Sequence, residues 1–77
     1  NPFNPATSIK FDIAKRGNVR LVVFDILGRE LSTLINESLN PGTYQVSFDG
    51  SGLSSGIYFC RLQSGNYINT MKMNLMK

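Results

Sequence analysis

The chain has 77 residues, with eight Lys/Arg against five Asp/Glu, and its formal net charge is +3. This length allows a single domain with a thin core, and a chain with no His and one Cys excludes zinc sites built from four Cys or His ligands and lacks the usual catalytic base. The basic residues are scattered, which argues against a nucleic-acid patch, and no run of about 18 apolar residues exists to predict a transmembrane segment.

Residues 1–5 are predicted to be a linker. Two prolines hold this segment extended and remove two backbone donors. The chain begins with Asn and not Met, so we expect it to be part of a longer protein whose cargo domain is covalently linked upstream of residues 1–5. Phe3 is expected to pack against the edge of the domain, which would span residues 6–77.

The first two strands are predicted from their hydrophobic patterns. Ile9, Phe11 and Ile13 alternate with polar residues, which indicates a strand with one solvated face. A turn at 16–18 then leads to a second strand over 19–25. This second strand is apolar on both faces for half its length, so we expect it to lie in the centre of a sheet.

A tight turn is predicted at 26–29, where Gly28 is expected to take a positive φ. The third strand follows over 30–35, with a short helical turn over 31–35 as the competing interpretation, because leucines three residues apart also suit a helix. Residues 36–42 are predicted to be a loop that ends in a Pro-Gly turn.

The rest of the chain alternates strands with turns. Strands are predicted over 43–49, 57–63 and 67–76, with a glycine- and serine-rich loop before the second and a hairpin turn at 64–66 before the third. The side chains expected to face the core are Tyr44, Val46, Phe48, Tyr58, Cys60, Leu62, Met71, Met73 and Leu75. Six to seven short antiparallel strands at this spacing predict an all-β fold, a small immunoglobulin-like β-sandwich.

The carboxylates do not form a convincing catalytic or metal site. All five lie in predicted turns or on solvated strand faces, and a domain of this size has little room for a substrate cleft. A calcium site at Asp49-Gly50-Ser51 or near Asp25 is the alternative to ordinary turn chemistry, which we favour because the spacing matches no dense calcium loop. We therefore predict a chain that is not an enzyme and that binds no cofactor.

Tyr58 and Cys60 have the Tyr-x-Cys spacing found on one strand of antibody-type domains. The second Cys and the packed Trp of those domains are both missing here. We therefore expect Cys60 to be a small core side chain and not a reactive thiol.

The final predicted strand has an exposed edge. Its backbone donors and acceptors are suited to recognition by strand addition, with Lys72 and Lys77 supplying positive charge. The same open edges allow an edge-strand dimer.

Five sequence blocks in order carry a family resemblance. They are Asn1-Pro2-Phe3-Asn4-Pro5-Ala6-Thr7, Val23-Phe24-Asp25-Ile26-Leu27-Gly28-Arg29-Glu30, Asp49-Gly50, Leu53-Ser54-Ser55-Gly56-Ile57-Tyr58 and Lys72-Met73-Asn74-Leu75-Met76-Lys77. With these blocks the whole chain resembles the type A C-terminal sorting domain of the type IX (Por) secretion system. It departs from the family pattern at Cys60, where an aromatic or aliphatic residue is more usual, and in its Met-rich ending.

The resemblance implies a non-catalytic immunoglobulin-type sandwich that acts as a secretion signal in Bacteroidetes and related phyla. Such a domain accompanies its cargo through the periplasm, is recognised by the outer-membrane translocon, and is often removed by a sortase-like protease while the cargo reaches the cell surface or the medium. The partners implied are thus the translocon, the protease and the upstream cargo.

The resemblance also implies which residues are recognised. Carried over onto this chain, the recognition residues are Gly56, Ile57, Tyr58, Gly65, Lys72, Met73, Leu75 and Lys77, while Gly28 and Arg29 match the family's central turn. The alternative is an immunoglobulin-like accessory module of an extracellular enzyme, acting as a spacer, adhesin or glycan binder. A glycan binder would expose an aromatic platform, for which Phe24, Phe59 and Tyr67 are the candidates.

Overall fold

A computed structural model of the chain describes the backbone of residues 2–3 and all of residues 6–76. These residues form strands and turns without a helix, which confirms the predicted all-β class. The strands are β1 (Pro2–Phe3), β2 (Ala6–Ile13), β3 (Gly17–Phe24), β4 (Glu30–Leu39), β5 (Gly42–Asp49), β6 (Gly56–Ser64) and β7 (Tyr67–Leu75). Within this part of the chain, nothing has the helical length and hydrophobicity that a membrane crossing requires.

The strands form two sheets, one with the order β1-β7-β6-β3-β4 and the other with the pair β2-β5. Every pairing among β2 to β7 is antiparallel. The order β7-β6-β3-β4 corresponds to strands G, F, C and C′ of an immunoglobulin sandwich, and the β2-β5 pair corresponds to strands B and E. The predicted immunoglobulin-like sandwich is therefore confirmed.

The segment predicted as a linker contains β1, which pairs in parallel with β7. Pro2 lies opposite Asn74, and Phe3 lies opposite Leu75. Proline is tolerated here because an edge strand needs no donor on its outer side. The packing expected for the Phe3 side chain lies outside the described residues.

The core lies between the two sheets and contains the predicted inward-facing positions. Its buried residues are Ile9, Phe11, Ile13, Val19, Leu21, Val23, Phe48, Tyr58, Cys60, Leu62, Met73 and Leu75, with Tyr44, Val46 and Met71 half-buried against them. Each of the strands β2 to β7 contributes residues to this cluster or packs against it. As predicted, β3 is central: it lies between β6 and β4 and is buried on both faces, Val22 included.

The largest difference from the sequence prediction concerns β4. The competing helical turn is wrong, and so is the predicted loop, because β4 continues to Leu39 and only residues 40–41 connect it to β5. The pairing of β3 with β4 shifts register between Leu21 and Val22 and again between Val23 and Phe24. These irregularities break the period-two alternation that identifies a strand.

The hairpin turn predicted near Gly65 is confirmed. Ser64 pairs with Tyr67, so the loop has two residues, and Gly65 has a φ of 58°. Asn66 does not have a positive φ, which fits a type II′ turn with glycine at its first central position. The turn predicted at 16–18 lies slightly upstream, over residues 14–16, because β2 ends at Ile13 and β3 already begins at Gly17.

Cys60 lies in the middle of the core with no exposed surface, and burial raises the pKa of its thiol to about 11. The thiolate is the nucleophile, so a protonated and covered thiol reacts slowly. We expect iodoacetamide at pH 8 to label the native chain far more slowly than the same chain in urea. Mass spectrometry measures both labelling rates, and equal rates would contradict the buried placement of Cys60.

Candidate recognition surface at one end of the sandwich

The β3–β4 connection is a hydrogen-bonded turn built on Asp25. The amide of Gly28 donates to the Asp25 carbonyl at 3.0 Å, and the Asp25 amide donates to the carbonyl of Arg29 at 3.1 Å. Gly28 has a φ of 82°, as predicted, while Ile26 and Leu27 have ordinary negative φ values. This is a type I turn followed by a left-handed glycine, the usual form of a three-residue hairpin loop.

The Asp25 carboxylate holds this turn from inside. Its Oδ1 accepts the amides of Leu27 at 2.9 Å and Arg29 at 3.0 Å, and its Oδ2 accepts Nε of Arg29 at 2.7 Å. Three donors therefore converge on one side chain that has only 13% of its surface exposed. The turn over 25–29, called the Asp25 turn below, is thus fixed in shape before any partner arrives.

These hydrogen bonds predict a pH dependence. Bonding to the Arg29 amide, and then to the Arg29 side chain and the Leu27 amide, holds the pKa of Asp25 below its ordinary value of 3.8. A carboxyl with a depressed pKa stabilises the fold above its unfolded pKa, and that contribution is lost as pH falls through the folded pKa. We expect a carboxyl-carbon NMR titration to give Asp25 a midpoint below 3.8, with the amide signals of Leu27 and Arg29 shifting in the same range. A midpoint at or above 3.8 would show that the turn is not held in this way.

The loop before β6 forms a second ordered corner beside the Asp25 turn. The Tyr58 hydroxyl donates to the Ser54 carbonyl at 2.6 Å, and the Leu53 amide donates to the Gly50 carbonyl at 2.9 Å. A tyrosine two residues before a core cysteine, bonded to the backbone a few residues upstream, is the tyrosine corner of immunoglobulin-like domains. The Tyr-x-Cys spacing noted in the sequence therefore marks this corner even without the disulfide.

The corner can be tested with a matched pair of tyrosines. Tyr44 also bonds a carbonyl four residues upstream, that of Asn40 at 2.6 Å, but its bond is exposed to solvent while that of Tyr58 is partly buried. We expect Tyr58→Phe to lower the free energy of unfolding by about 0.5–1.5 kcal/mol, as for a typical hydrogen bond. Tyr44→Phe should cost less, because water replaces an exposed partner. Equal urea midpoints for the two variants would contradict a special role for Tyr58.

The Asp25 turn and the 53–58 corner line one hollow of about 490 Å³, which is open to solvent and larger than the length of the chain leads us to expect. Of the seven large hydrophobic residues that are exposed in the described chain, four line this hollow: Ile26 (69% exposed), Leu27 (74%), Leu31 (39%) and Ile57 (38%). Half-buried Leu53 lines it as well, and Arg29, whose side chain is 73% exposed, stands beside them. We call these six residues the apolar end of the sandwich.

The sequence-predicted recognition residues are only partly brought together. Gly56, Ile57 and Tyr58 line the hollow, as does Arg29 of the central turn. Lys72, Met73 and Leu75 lie on the neighbouring strand, opposite Phe59, Tyr58 and Gly56. Gly65 lies at the other end of β6, about 30 Å away at the usual rise of a strand, and Lys77 lies outside the described residues.

Burial separates these residues further. Tyr58, Met73 and Leu75 belong to the core, so their side chains shape the surface from beneath. Among the predicted recognition residues that the structure describes, Ile57 and Lys72 have exposed side chains. The sequence analysis missed Ile26, Leu27 and Leu31, although an Ile-Leu pair inside a glycine turn is a signal, because turns normally carry polar residues.

Among the residues that the structure describes, the edge of β7 is covered only near its C-terminal end, where β1 pairs with Asn74 and Leu75. Its first four residues are exposed on both faces and include Tyr67 and Ile68. The predicted open edge is therefore present over the first part of the strand.

The candidate aromatic platform does not form a flat, open surface. Phe24 and Phe59 are neighbours across β3 and β6, but the Arg61 guanidinium covers the Phe24 ring at 4.5 Å from its centroid. Tyr67 lies at the far end of the same sheet, opposite Ser64. The three aromatics do not share one platform, so this geometry gives the glycan-binding alternative no support.

The acidic residues considered for calcium are used in turns. The Asp49 Oδ1 accepts the amide of Ser51 at 2.9 Å, just as Asp25 accepts the amides of its own turn. Within the described residues, no three His, Cys, Asp or Glu side chains gather in a group that could hold a metal ion.

Comparison with known protein families gives a match over nearly the whole chain. The family model described as "Secretion system C-terminal sorting domain" matches residues 1–76. No curated protein and no solved structure matches the chain.

Proposed function

The chain belongs to the family of secretion system C-terminal sorting domains, and from this membership we propose that it is recognised in the periplasm by the outer-membrane translocon of a type IX system. Its role is that of a sorting signal for secretion to the cell surface or beyond. We propose further that a sortase-like protease removes it from an upstream cargo protein and that it performs no catalysis itself.

The observation that carries this proposal is the family match over nearly the whole chain. The fold supports the proposal as well. A sorting signal must fold independently of its cargo. It must also present a surface that its receptor can distinguish from the surfaces of other periplasmic proteins. A small sandwich with ordered turns and an exposed apolar end meets both requirements.

The predicted recognition residues then divide into two roles. Ile57 and Lys72 are exposed and are proposed to contact the translocon. Tyr58, Met73 and Leu75 are proposed to act through the fold, because they are core residues. The two glycines, Gly56 and Gly65, permit the backbone conformations from which β6 and β7 start. Lys77 remains a candidate contact.

The test is a fusion of a periplasmic reporter to the N-terminus of this chain, expressed in a bacterium with a type IX system. We expect protease added to intact cells to digest the reporter only when residues 1–77 are attached. A reporter that reaches the surface equally well without the chain would overturn the proposal. A fusion that folds in the periplasm and stays there would favour the accessory-module alternative.

A further inference from the structure

We propose that the apolar end is the docking site for a protein receptor that presents an aliphatic side chain beside an Asp or Glu. This inference rests on the proposed sorting function and specifies where and by what chemistry the signal is read.

The Asp25 turn displays its two aliphatic side chains rigidly. Ile26 and Leu27 are 69% and 74% exposed, yet the backbone around them is fixed by two amide hydrogen bonds to the Asp25 carboxylate, which also accepts the Nε of the Arg29 side chain. A fixed turn loses little conformational entropy on binding, so preorganisation of this kind favours affinity. Single exposed hydrophobic residues are common, but a preorganised pair beside a hollow lined by Leu31, Leu53 and Ile57 is typical of an interaction site.

Arg29 favours a partner that carries a negative charge at this site. Asp25 is its only salt-bridge partner among the described residues, and that contact uses Nε alone. The side chain is 73% exposed, so the remaining guanidinium donors are accessible to a partner. A carboxylate pairs with these donors in a fork geometry, which adds orientation to the hydrophobic contact.

The same features disfavour two other occupants. A two-fold dimer through this end would bring Arg29 of both copies into one interface, between chains that each carry a formal charge of +3. A membrane surface is bound by clusters of Lys and Arg around an apolar face, whereas the hollow is lined by a single cation, Arg29. A protein with one acidic and one aliphatic group fits better than either.

The experiment compares two matched pairs of substitutions in the reporter fusion. Ile26→Ser with Leu27→Ser removes the displayed pair. Tyr67→Ser with Ile68→Ser removes two adjacent residues of comparable exposure, 57% and 59%, on the distant part of β7. We expect the first pair to lower surface delivery roughly tenfold, as for central residues of an interface, with the urea midpoint unchanged. The second pair should deliver as well as the unaltered chain.

Arg29→Gln provides a test of the charge, with Arg16→Gln as its control because Arg16 is exposed and bonds only the side chain of Asn40 among the described residues. We expect delivery to fall several-fold for the first and to stay unchanged for the second. The unaltered chain without cargo, supplied in excess in the periplasm, should compete with the fusion for delivery. The Ile26→Ser/Leu27→Ser chain should not compete.

Several results would overturn the docking site. These are full delivery by the Ile26→Ser/Leu27→Ser fusion, loss of delivery with the Tyr67→Ser/Ile68→Ser pair alone, a dimer in sedimentation velocity that the first pair abolishes, or co-flotation with phosphatidylglycerol vesicles that it abolishes. If residues 1–77 are still required for delivery in these cases, the sorting function stands, and only the proposed position of the docking site on the domain is wrong. If the reporter is delivered without the chain, the sorting function itself fails.

Discussion

Leu75→Ala is expected to lower the free energy of unfolding by about 2–5 kcal/mol. Leu75 has only 1% of its surface exposed and packs in the core from the last strand, opposite Gly56. Truncation removes apolar contacts and leaves a cavity that its neighbours fill only in part. Urea unfolding followed by circular dichroism measures the change.

This loss is large for so small a domain. Typical stabilities per residue give a chain of 77 residues about 4–12 kcal/mol in total, so Leu75→Ala should remove a large share of the stability and lower the melting temperature markedly. Met76→Ala is the control, because the next residue is 52% exposed and should change the midpoint little. Equal midpoints for the two variants would mean that the C-terminal strand is not part of the core.

Gly56→Val is expected to lower the free energy of unfolding by about 1–3 kcal/mol through backbone strain. Gly56 begins β6 with a φ of 154°, a backbone angle that residues with a side chain rarely adopt and that β-branched residues tolerate least. An added Cβ would meet no atom within 4 Å, so the loss would come from conformation and not from a clash.

Gly52→Val is the matched control for this strain. Gly52 lies in the same loop, also has open space around it, and has no positive φ in the strained range. Its substitution should leave the thermal midpoint nearly unchanged. If both valine variants melt together with the unaltered chain, the φ of Gly56 has no energetic consequence.

Most of the sandwich could be predicted because strands such as β2 and β6 have regular alternation. Ile9, Phe11 and Ile13 of β2 and Tyr58 and Cys60 of β6 face the core as their spacing predicts. Burial on one face imposes a period of two, and that period can be read from the sequence. The central position of β3 was equally readable, because a strand buried on both faces is apolar on both.

Strands β1 and β4, at the two edges of the larger sheet, are harder to predict. Residues 36–38 of β4 resemble a loop because they are polar and exposed at a sheet edge. Register shifts also interrupt the pairing of this strand with β3. Pro2 of β1 resembles a linker residue because only the finished sheet provides β7 as its partner.

The apolar end could not be located from the sequence alone. The Asp25 turn and the 53–58 corner are separated by more than 20 residues, and both resembled ordinary turns. They meet because β3 and β6 are paired neighbours, with Phe24 opposite Phe59. That pairing depends on the topology of the sheet, which local periodicity does not specify. The resemblance indicated that both blocks matter, while the structure brings them to one surface.

We propose that the translocon recognises the sorting signal as a folded surface and not as a linear string of residues. The most direct test is to measure surface delivery of the reporter fused to the Leu75→Ala chain at temperatures below and above its melting midpoint. Immunoblots of the full-length fusion in the periplasm correct for degradation. We predict that delivery falls in parallel with the folded fraction, while the Met76→Ala fusion is delivered at every temperature. Delivery of the melted Leu75→Ala fusion at the level of the unaltered chain would contradict the account.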